Sequence, residues 1–397
     1  MIERRPIELK VSRMNDSFAT DLHRRATVAM QTGHADADEH GGRIPVGQYM
    51  SDALTNQELG LLRQHPQPVV ASSSLALPGA WLSLTHFGVP LLLVRQENGR
   101  FEAFINVCRH RGARVVPEGS GNEAGMFVCP YHAWSYGPDG ALRGVPESFG
   151  FPCLKREESG LRKLATVERA GVVWVVLDPS LSESDPGERL GALMDNLESL
   201  EGLSKSVGFA PRSYIVEANW KLLVDGTFEA YHFKVAHRQT IAHLFAGNMQ
   251  IIDEFDLHRR LYLIKARFAE DKPDIIGFDP RKYGNIIYSF FPATMILVQP
   301  DHAQLSSLEP LSATRTRVHE VTLIPQPPAS DKATRYWQAN VDLYRRTLAE
   351  DYELAESIQT GLATGANEAL TFGTFEYSAL RFHSQLQQQL AAMSTAG

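Results

Sequence analysis

The first half of the chain alternates short apolar runs with turn residues. The runs are rich in Leu, Val, Trp and Phe, and Asn98-Gly99 separates two of them as a two-residue turn of the kind that closes β-hairpins. The predicted strands cover residues 81–84, 90–95, 101–105, 126–129, 164–168 and 172–177. Short antiparallel strands at this spacing predict a small all-β domain.

The second half mixes strand-like runs with helical patterns. Helices are predicted for 188–200 and 219–237, and strands for 212–218, 261–268, 286–291, 294–298 and 315–324. A long helical pattern then covers 333–362, with apolar residues at Trp337, Val341 and Leu348. These elements predict a curved antiparallel sheet wrapped around one long helix, so the fold class is α+β.

Composition shifts suggest where the domains meet. The segment 178–187 is rich in Pro, Ser and acidic residues, which bury little surface, and this predicts a domain boundary near residue 180. Residues 1–45 are polar, and the acidic, His-containing stretch 33–40 favours a solvated segment over a metal site. The predicted organisation is an N-terminal extension over 1–45, a first domain over 46–180 and a second over 181–397.

Charge and cysteine content exclude several classes of function. The 397 residues carry 39 Lys+Arg and 46 Asp+Glu, a net charge of −7 with no basic block, which argues against nucleic acid or an anionic membrane as partner. No apolar stretch approaches the ~20 residues that span a bilayer. The N-terminus lacks the apolar core of a signal peptide, and three cysteines suit a reducing compartment, so a cytoplasmic location is expected.

Two tight segments each bring one thiol and one imidazole together. They are Cys108-Arg109-His110 and Cys129-Pro130-Tyr131-His132. Two Cys and two His can bind zinc, or a [2Fe–2S] cluster with both cysteines on one iron and both histidines on the other. Zinc fingers usually pair Cys with Cys and His with His along the chain, so the mixed pairing favours the cluster.

The surrounding residues strengthen this interpretation. Residues 108–112, Cys-Arg-His-Arg-Gly, and 129–134, Cys-Pro-Tyr-His-Ala-Trp, resemble the two ligand loops of Rieske proteins. Cys153 lies outside both loops and is expected to be a buried small hydrophobe. The Gly-x-Gly-x-x-Ala tract at 119–124 lies between the loops and not at a strand-to-helix turn, so it predicts a hairpin connection, with nicotinamide and flavin on another protein.

A second set of candidate metal ligands lies in residues 219–237. His232 and His237 are five residues apart, which is about 500° of rotation on a regular helix, so both can bind one metal only if the helix ends or distorts between them. Such a pair is weak evidence alone. Two histidines with one carboxylate nevertheless form the facial triad of ferrous oxygenases, which would give electrons from the cluster a destination.

The segment 219–237 resembles the iron-binding motif of Rieske non-haem iron oxygenase α subunits, and the resemblance extends over roughly residues 45–390. It implies a helix-grip, START-like catalytic domain after an all-β Rieske domain. It also implies Asp351 as the third iron ligand, since 348–362 is similar to the family's late acidic motif. Glu350, Glu353 and Glu356 compete for this role.

Glu229 occupies the position of an acidic residue with a special role in the family. The resemblance implies that the family forms homotrimers in which Glu229 bridges His132 of a neighbouring chain to His232 and so carries electrons between subunits. Many members have Asp at this point. Asp225-Gly226 also departs from the Glu-Asn pair common in relatives.

The resemblance further implies a terminal oxygenase with a [2Fe–2S] cluster, mononuclear Fe²⁺ and O₂ as co-substrate. A separate reductase, with or without a ferredoxin, would supply electrons from NAD(P)H through flavin. The predicted reaction is hydroxylation of a small organic, aromatic substrate in a pocket with candidate lining residues Phe245, Tyr288, Phe290, Phe291 and Met295.

Two alternatives remain. Some relatives with Glu at the bridging position act on quaternary ammonium compounds, so N- or O-demethylation of such a substrate is one. A non-catalytic electron carrier or a zinc-stabilised binding protein is the other.

Overall fold

The structure is a computed structural model that describes residues 16–33, 36–200 and 202–396. The chain forms two compact units, which we call the Rieske-loop unit, Leu62–Leu190, and the sheet–helix unit, formed by the described residues of Met1–Leu61 and Gly191–Gly397. The limits predicted from composition, 46 and 180, therefore differ from those in the structure. Glycine at 191 marks the second limit with a backbone kink inside a helix (φ 58°).

The elements are numbered in chain order. The helices are α1 Asp16–Thr32, α2 Gly47–Met50, α3 Asp52–Gln64, α4 Pro186–Glu198, α5 Trp220–Thr227, α6 Phe233–Ala236, α7 Arg267–Asp271, α8 Pro280–Tyr283, α9 Asp331–Leu362 and α10 Tyr377–Ala396. The strands are β1 Gly42–Pro45, β2 Gln67–Ala71, β3 Trp81–His86, β4 Val89–Arg95, β5 Phe101–Ile105, β6 Gly119–Gly121, β7 Phe127–Val128, β8 Ser135–Tyr136, β9 Leu142–Gly144, β10 Lys163–Leu164, β11 Thr166–Arg169, β12 Val172–Val175, β13 Val207–Val216, β14 Phe245–Phe255, β15 His258–Lys265, β16 Gly284–Phe290, β17 Thr294–Val298, β18 Ala303–Ser312, β19 Arg315–Ile324 and β20 Ala369–Phe372.

The Rieske-loop unit is built from antiparallel strands, as the alternation of apolar runs predicts. A five-stranded sheet has the order β10-β5-β4-β3-β6, and two three-stranded sheets have the orders β11-β12-β2 and β7-β8-β9. The β4–β5 hairpin turns at Asn98-Gly99, where Gly99 has a φ of 80°. The Gly-x-Gly-x-x-Ala tract begins as edge strand β6 beside β3 and does not open a helix.

Cys153 corrects one prediction. The sequence predicts a buried small hydrophobe, but its side chain is exposed. It lies in an irregular segment between two short 3₁₀ turns, Ser148–Gly150 and Arg156–Glu158, which have no buried residues. Loops of this kind run over the surface because buried irregular backbone leaves polar groups unpaired.

The sheet–helix unit contains one seven-stranded antiparallel sheet, and the predicted α+β fold is confirmed. Its strand order is β13-β19-β18-β17-β16-β15-β14. Ser330 caps the N-terminus of the long helix α9, since its Oγ accepts a hydrogen bond from the Ala333 N–H (3.2 Å). A further helix, α10, follows α9, and its Phe382 and Leu386 are buried.

The described part of the predicted N-terminal extension belongs to the same unit. Helix α1 buries Leu22 and Ala26 completely, and the Arg25 guanidinium pairs with Asp253 (2.5 Å) and Asp36 (2.6 Å). The first 15 residues and His34-Ala35 of the acidic stretch lie outside the described residues. Among the helices that the structure describes, none combines the length and apolarity needed to cross a bilayer.

Candidate active site

The two Cys/His loops share one backbone design. In each, the cysteine N–H donates to the carbonyl five residues later (2.7 Å from Cys108, 2.8 Å from Cys129), and the cysteine carbonyl accepts from the N–H four residues later (3.0 Å in both). The residue four positions after each cysteine has a positive φ, 79° at Gly112 and 57° at Ala133. Since Ala adopts this conformation at a cost, the loop hydrogen bonds must hold it.

These loops bring the two predicted thiol ligands close to each other and the two predicted imidazole ligands close to each other. The thiols of Cys108 and Cys129 are buried and close enough to affect each other's protonation, and the His110 and His132 rings lie 4.7 Å apart between centroids. The buried His110 Nδ1 has no hydrogen-bond partner among the described residues. Two thiols and two imidazoles with an unsatisfied ring nitrogen suit a [2Fe–2S] cluster, which takes thiolate and imidazole ligands.

Burial acts on the protonation of these groups. It raises the pKa of the Cys129 thiol, and the neighbouring Cys108 adds to the effect. It lowers the pKa of His110, as do the nearby His132 and Arg111. A neutral imidazole is the form that binds a metal, whereas the thiol must lose its proton when the metal binds.

Tyr136 is a neighbour of this site that the sequence analysis does not single out. Its hydroxyl accepts a hydrogen bond from the Arg109 N–H (3.0 Å) and lies 3.3 Å from the Cys108 Sγ. A hydroxyl that donates to a cluster thiolate withdraws charge from the sulfur and tunes the reduction potential. The sequence signal is weak, since Tyr136 follows Cys108 by 28 residues.

The second predicted site lies where the helical segment 219–237 breaks. Helix α5 ends at Thr227, and α6 is a single turn with His232 immediately before it and His237 immediately after it. The predicted continuous helix over 219–237 is therefore wrong. It is interrupted before His232, and α6 ends at Ala236, between the two histidines, as the shared metal requires. Phe233, inside α6, packs on His237 and anchors the turn.

Three candidate ligand atoms converge at this break. The His232 and His237 Nε2 atoms are 3.2 Å apart, and the Asp351 Oδ1 lies 3.1 Å from His237 Nε2 and 3.5 Å from His232 Nε2. Ligands at right angles on a metal with bonds of about 2.1 Å stand about 3 Å apart. The spacing fits three ligands on one face of an octahedral ion.

Two further carboxylates hold the opposite nitrogens of these rings. Glu229 accepts hydrogen bonds from the His232 Nδ1 and backbone N–H, and Glu350 lies 2.8 Å from the His237 Nδ1. With a proton on each Nδ1, the two Nε2 atoms carry lone pairs that face each other and a carboxylate. Three acceptors without a donor between them call for a cation, so the residues fit a mononuclear metal.

The electrostatics agree with this. Burial alone would lower the pKa of His237, but the hydrogen bonds and charges of Asp351 and Glu350 raise it above its usual value. The carboxylates thus draw positive charge to this point, and a divalent metal supplies it without protonating the ring.

A cavity of about 580 Å³ opens beside the three converging side chains. One wall comes from the sheet, with Ile287, Met295 and Leu297, and another from α9, with Leu348 and Tyr352. This volume is typical of a small-molecule site, and the lining is mostly apolar.

The predicted aromatic lining is mostly wrong. Of the five candidates only Met295 borders the cavity. Side chains alternate along a strand, so Ile287 on the cavity side of β16 sends Tyr288 and Phe290 to the opposite face, where the Tyr288 hydroxyl donates to Asn196 (2.9 Å). Phe245 instead packs behind the cavity against Phe233, and Phe291 packs on Phe382.

Asp225 borders the same cavity and belongs to a buried network. Its carboxylate accepts a hydrogen bond from the Tyr49 hydroxyl (2.7 Å) and lies 2.9 Å from His383 Nε2. Burial and the Asp225 charge raise the pKa of Tyr49 well above its usual value, so Tyr49 stays a donor. Asp225 is the first residue of the Asp225-Gly226 pair, at which the sequence analysis expects Glu-Asn, and it is part of this network.

Sequence profiles of two known domains match these two sites. The profile of the Rieske [2Fe-2S] domain matches residues 65–155, and that of the ring hydroxylating alpha subunit (catalytic domain) matches residues 203–392. The chain belongs to the Rieske non-haem iron oxygenases. It is an oxidoreductase whose cofactors are a Rieske [2Fe–2S] cluster and a mononuclear iron, with O₂ as co-substrate.

Several curated members of the family are similar to this Rieske oxygenase. The carnitine monooxygenase oxygenase subunit of Acinetobacter baumannii is 27% identical over 301 residues, which cover 74% of this chain and 78% of that protein. The chloroplastic choline monooxygenase of Spinacia oleracea is 29% identical over 327 residues, covering 80% and 71% respectively.

Solved structures show the same fold. A quaternary ammonium Rieske monooxygenase in complex with L-carnitine superposes with a TM-score of 0.73 at 22% identity, over 87% of this chain and 95% of that one. Naphthalene 1,2-dioxygenase from Rhodococcus sp. superposes with a TM-score of 0.70 at 18% identity, over 95% and 99%.

Proposed function

We propose that the chain is the oxygenase component of a Rieske monooxygenase that hydroxylates a quaternary ammonium compound. The names of the carnitine and choline monooxygenases support this alternative over the aromatic substrate predicted from sequence. The cavity supports it too, since its lining includes the carboxylates of Asp225, Glu229, Asp351 and Glu376, which favour a cation.

His232, His237 and Asp351 are the proposed iron ligands. The observation that carries the proposal is the convergence of His232 Nε2, His237 Nε2 and Asp351 Oδ1 at separations of 3.1–3.5 Å beside the cavity. Three protein ligands on one face leave coordination positions for oxygen and access for a substrate. Glu229 and Glu350 hold the two rings with Nε2 directed at the metal.

Cys108, Cys129, His110 and His132 are the proposed cluster ligands. The cluster supplies single electrons when bound, and the iron supplies the site at which O₂ is reduced. Glu229 is the proposed inter-subunit bridge in a homotrimer: His132 is exposed, so the partner subunit's Glu229 could receive it, while Glu229 already holds His232.

A separate reductase, with or without a ferredoxin, is the proposed source of electrons, consistent with the "oxygenase subunit" names of relatives. All three cysteines are free thiols, which supports a reducing, cytoplasmic compartment. The Rieske-loop unit and the sheet–helix unit are the proposed Rieske and catalytic domains.

The cavity residues would hold the substrate so that a C–H bond of a carbon bonded to its nitrogen lies beside the metal site. The apolar wall residues of the cavity exclude water, and both His232 and His237 border it. Hydroxylation of an N-methyl group gives a product that releases formaldehyde and leaves a tertiary amine. One oxygen atom of O₂ enters the product and the other leaves as water.

The test compares His232→Ala with His243→Ala, since His243 is exposed and outside the cavity. Anaerobically purified wild type should contain about three irons and two sulfides per chain. His232→Ala should lose one iron, keep the Rieske EPR signal and lose turnover of quaternary ammonium compounds. His243→Ala should match the wild type in all three respects.

Two outcomes would contradict the proposal. Finding zinc and no sulfide in the purified protein would mean that it is a metal-stabilised binding protein and not an oxygenase. Dihydroxylation of an aromatic compound, with both atoms of ¹⁸O₂ in the product and no oxidation of any ammonium compound, would restore the aromatic substrate class.

A further inference from the structure

The charged side chains that line the cavity are all acidic or histidine. Asp225, Glu229, Asp351 and Glu376 border it, and among its described lining residues there is neither lysine nor arginine. A cavity of this polarity attracts a cation and repels an anion. The zwitterions carnitine and glycine betaine each carry a carboxylate as well as an ammonium group.

Three of the four carboxylates already have a role. Asp351 faces the two histidine Nε2 atoms, Glu229 holds His232, and Asp225 accepts from Tyr49. Glu376 differs, since the hydrogen bond that the structure gives it is from the Gly373 N–H to Oε2 (2.6 Å), and no described lysine or arginine pairs with it. It is the carboxylate still available to a ligand.

An ionised Glu376 is costly without a positive charge beside it. Burial raises its pKa, and the neighbouring charges of Glu229 and Asp225 raise it further. A buried carboxylate without a counter-charge is unfavourable, so a cation in the cavity would offset this cost.

The position of Glu376 suits the chemistry. Glu376 lines the cavity together with His232, and Phe375, the residue before it, packs on Tyr231, the residue before His232 (4.6 Å between centroids). Glu376 therefore lies at the metal end of the cavity. In oxidation of a carbon bonded to nitrogen, the positive charge is one bond from the reacting carbon. The substrate cation must therefore lie at the same end.

We propose that the cavity selects an alkylammonium cation without a carboxylate, and that Glu376 faces the ammonium group. The inference rests on the proposed function and narrows its substrate class to choline-like cations. A zwitterion would bring its carboxylate into a cavity that offers no cationic side chain to pair with it.

A half-buried cation, Lys265, lies nearby on the sheet. Alternation along β15 puts Lys265 on the same side as Leu263, which lines the cavity, but Lys265 is not part of the lining. Its Nζ donates to the Arg281 carbonyl (3.2 Å), and burial lowers its pKa to about 8. Lys265 would have to leave this contact to meet a substrate carboxylate.

The experiment measures binding, not turnover. Calorimetric titrations of the anaerobic holoenzyme use choline, the neutral tert-butyl analogue in which carbon replaces the nitrogen, and glycine betaine. Choline should bind about tenfold or more tightly than the neutral analogue, which has the same shape. Glycine betaine should bind at least about tenfold more weakly than choline, because its carboxylate is unpaired in the cavity.

Glu376→Gln tests the residue. The amide keeps an oxygen that can accept from Gly373, so the turn should fold, and the preference for choline over its neutral analogue should fall to about threefold or less. Glu368→Gln removes the same charge from an exposed side chain outside the cavity and should leave the preference at its wild-type value.

Several results would overturn the inference. Equal affinity of the wild type for choline and its neutral analogue would show that the cavity does not recognise the positive charge. An unchanged preference in Glu376→Gln would show that Glu376 does not contact the ammonium group. Tighter binding of glycine betaine that is lost in Lys265→Met would assign the cavity to zwitterions. In that case demethylation of betaine would still support the proposed function, whereas absence of oxidation of every ammonium compound would defeat both.

Discussion

At the scale of single residues, the two nitrogens of His237 have different partners. The Nε2 faces Asp351 (3.1 Å), and the Nδ1 faces Glu350, which also accepts from the Thr240 hydroxyl (2.6 Å). Adjacent carboxylates on α9 therefore have separate tasks. Asp351 is placed to bind the metal, and Glu350 fixes the tautomer and direction of the ring.

Glu350→Gln should weaken iron binding and leave the cluster intact. The amide cannot supply the negative charge that makes the ring a strong donor, and changes to such outer partners typically cost about 10–100-fold in metal affinity. Competition with a chelator measures the iron affinity, and the Rieske EPR signal reports the cluster.

Glu353→Gln is the matched control, since Glu353 is exposed on the same helix. It should retain wild-type affinity. Equal iron affinity in Glu350→Gln and wild type would show that the ring needs no charged partner, and loss of the EPR signal would point to general misfolding instead.

Sequence motifs predict the candidate ligands, but they do not predict the residues that lie next to those ligands in the fold. Cys108, His110, Cys129 and His132 follow from two short motifs, and the choice of Asp351 over Glu350 rests on the resemblance to the late acidic motif of the family. Tyr136 and Glu376 act across the fold, because their partners are far away in sequence. No local pattern marks a tyrosine or glutamate for such a role.

At the scale of elements, alternation and helical periodicity predict most strands of the large sheet and helix α9. Residues 294–298 and 315–324 agree with β17 and β19, and α9 begins two residues before the predicted 333. The geometry of a shared metal predicts only that a helix ends between His232 and His237, and the further break before His232 was not predicted. Helix α10 was not predicted, although Ala379, Phe382, Leu386 and Leu390 are buried at helical spacing.

Helix α5, which leads to the metal ligands, is fixed by a buried ion pair. The Lys221 Nζ lies 2.7 Å from both Glu58 carboxylate oxygens, both side chains are fully buried, and Trp220 Nε1 donates to the same carboxylate (2.8 Å). Glu58 lies on α3, so the pair ties two distant segments of the sheet–helix unit.

Lys221→Met should destabilise the protein by about 3–5 kcal/mol, because it leaves a buried carboxylate without its counter-charge. Urea unfolding followed by fluorescence and by loss of bound iron would measure the change. The double variant Lys221→Met with Glu58→Leu removes both charges and should recover much of the loss. A single variant as stable as the wild type would show that Glu58 is neutral without its partner.

At the scale of the whole molecule, the sequence predicts an N-terminal and a C-terminal domain, but not that the N-terminal segment belongs to the same unit as the C-terminal half. Strand β1 pairs with β20, with Gly42 opposite Phe372, and α1 and α3 belong to the sheet–helix unit. A pairing across more than 300 residues has no local signal. Composition, which set the boundary at 46, reports the solvation of a segment and not its partners.

The proposed inter-subunit bridge predicts that electrons leave one chain and arrive in another. A Cys129→Ala chain would keep its iron and lack the cluster, and a His232→Ala chain would keep the cluster and lack the iron. Each alone should fail to form product in a single turnover. Co-expressed, they should regain activity, because the His232→Ala chain can reduce the Cys129→Ala chain through His132 and the partner subunit's Glu229.

Native mass spectrometry would confirm oligomers that contain both chains, and the same chains mixed after separate purification provide the control. Mixed oligomers without product, with mononuclear iron retained in the Cys129→Ala chain, would mean that electrons pass within one chain and that Glu229 only orients His232.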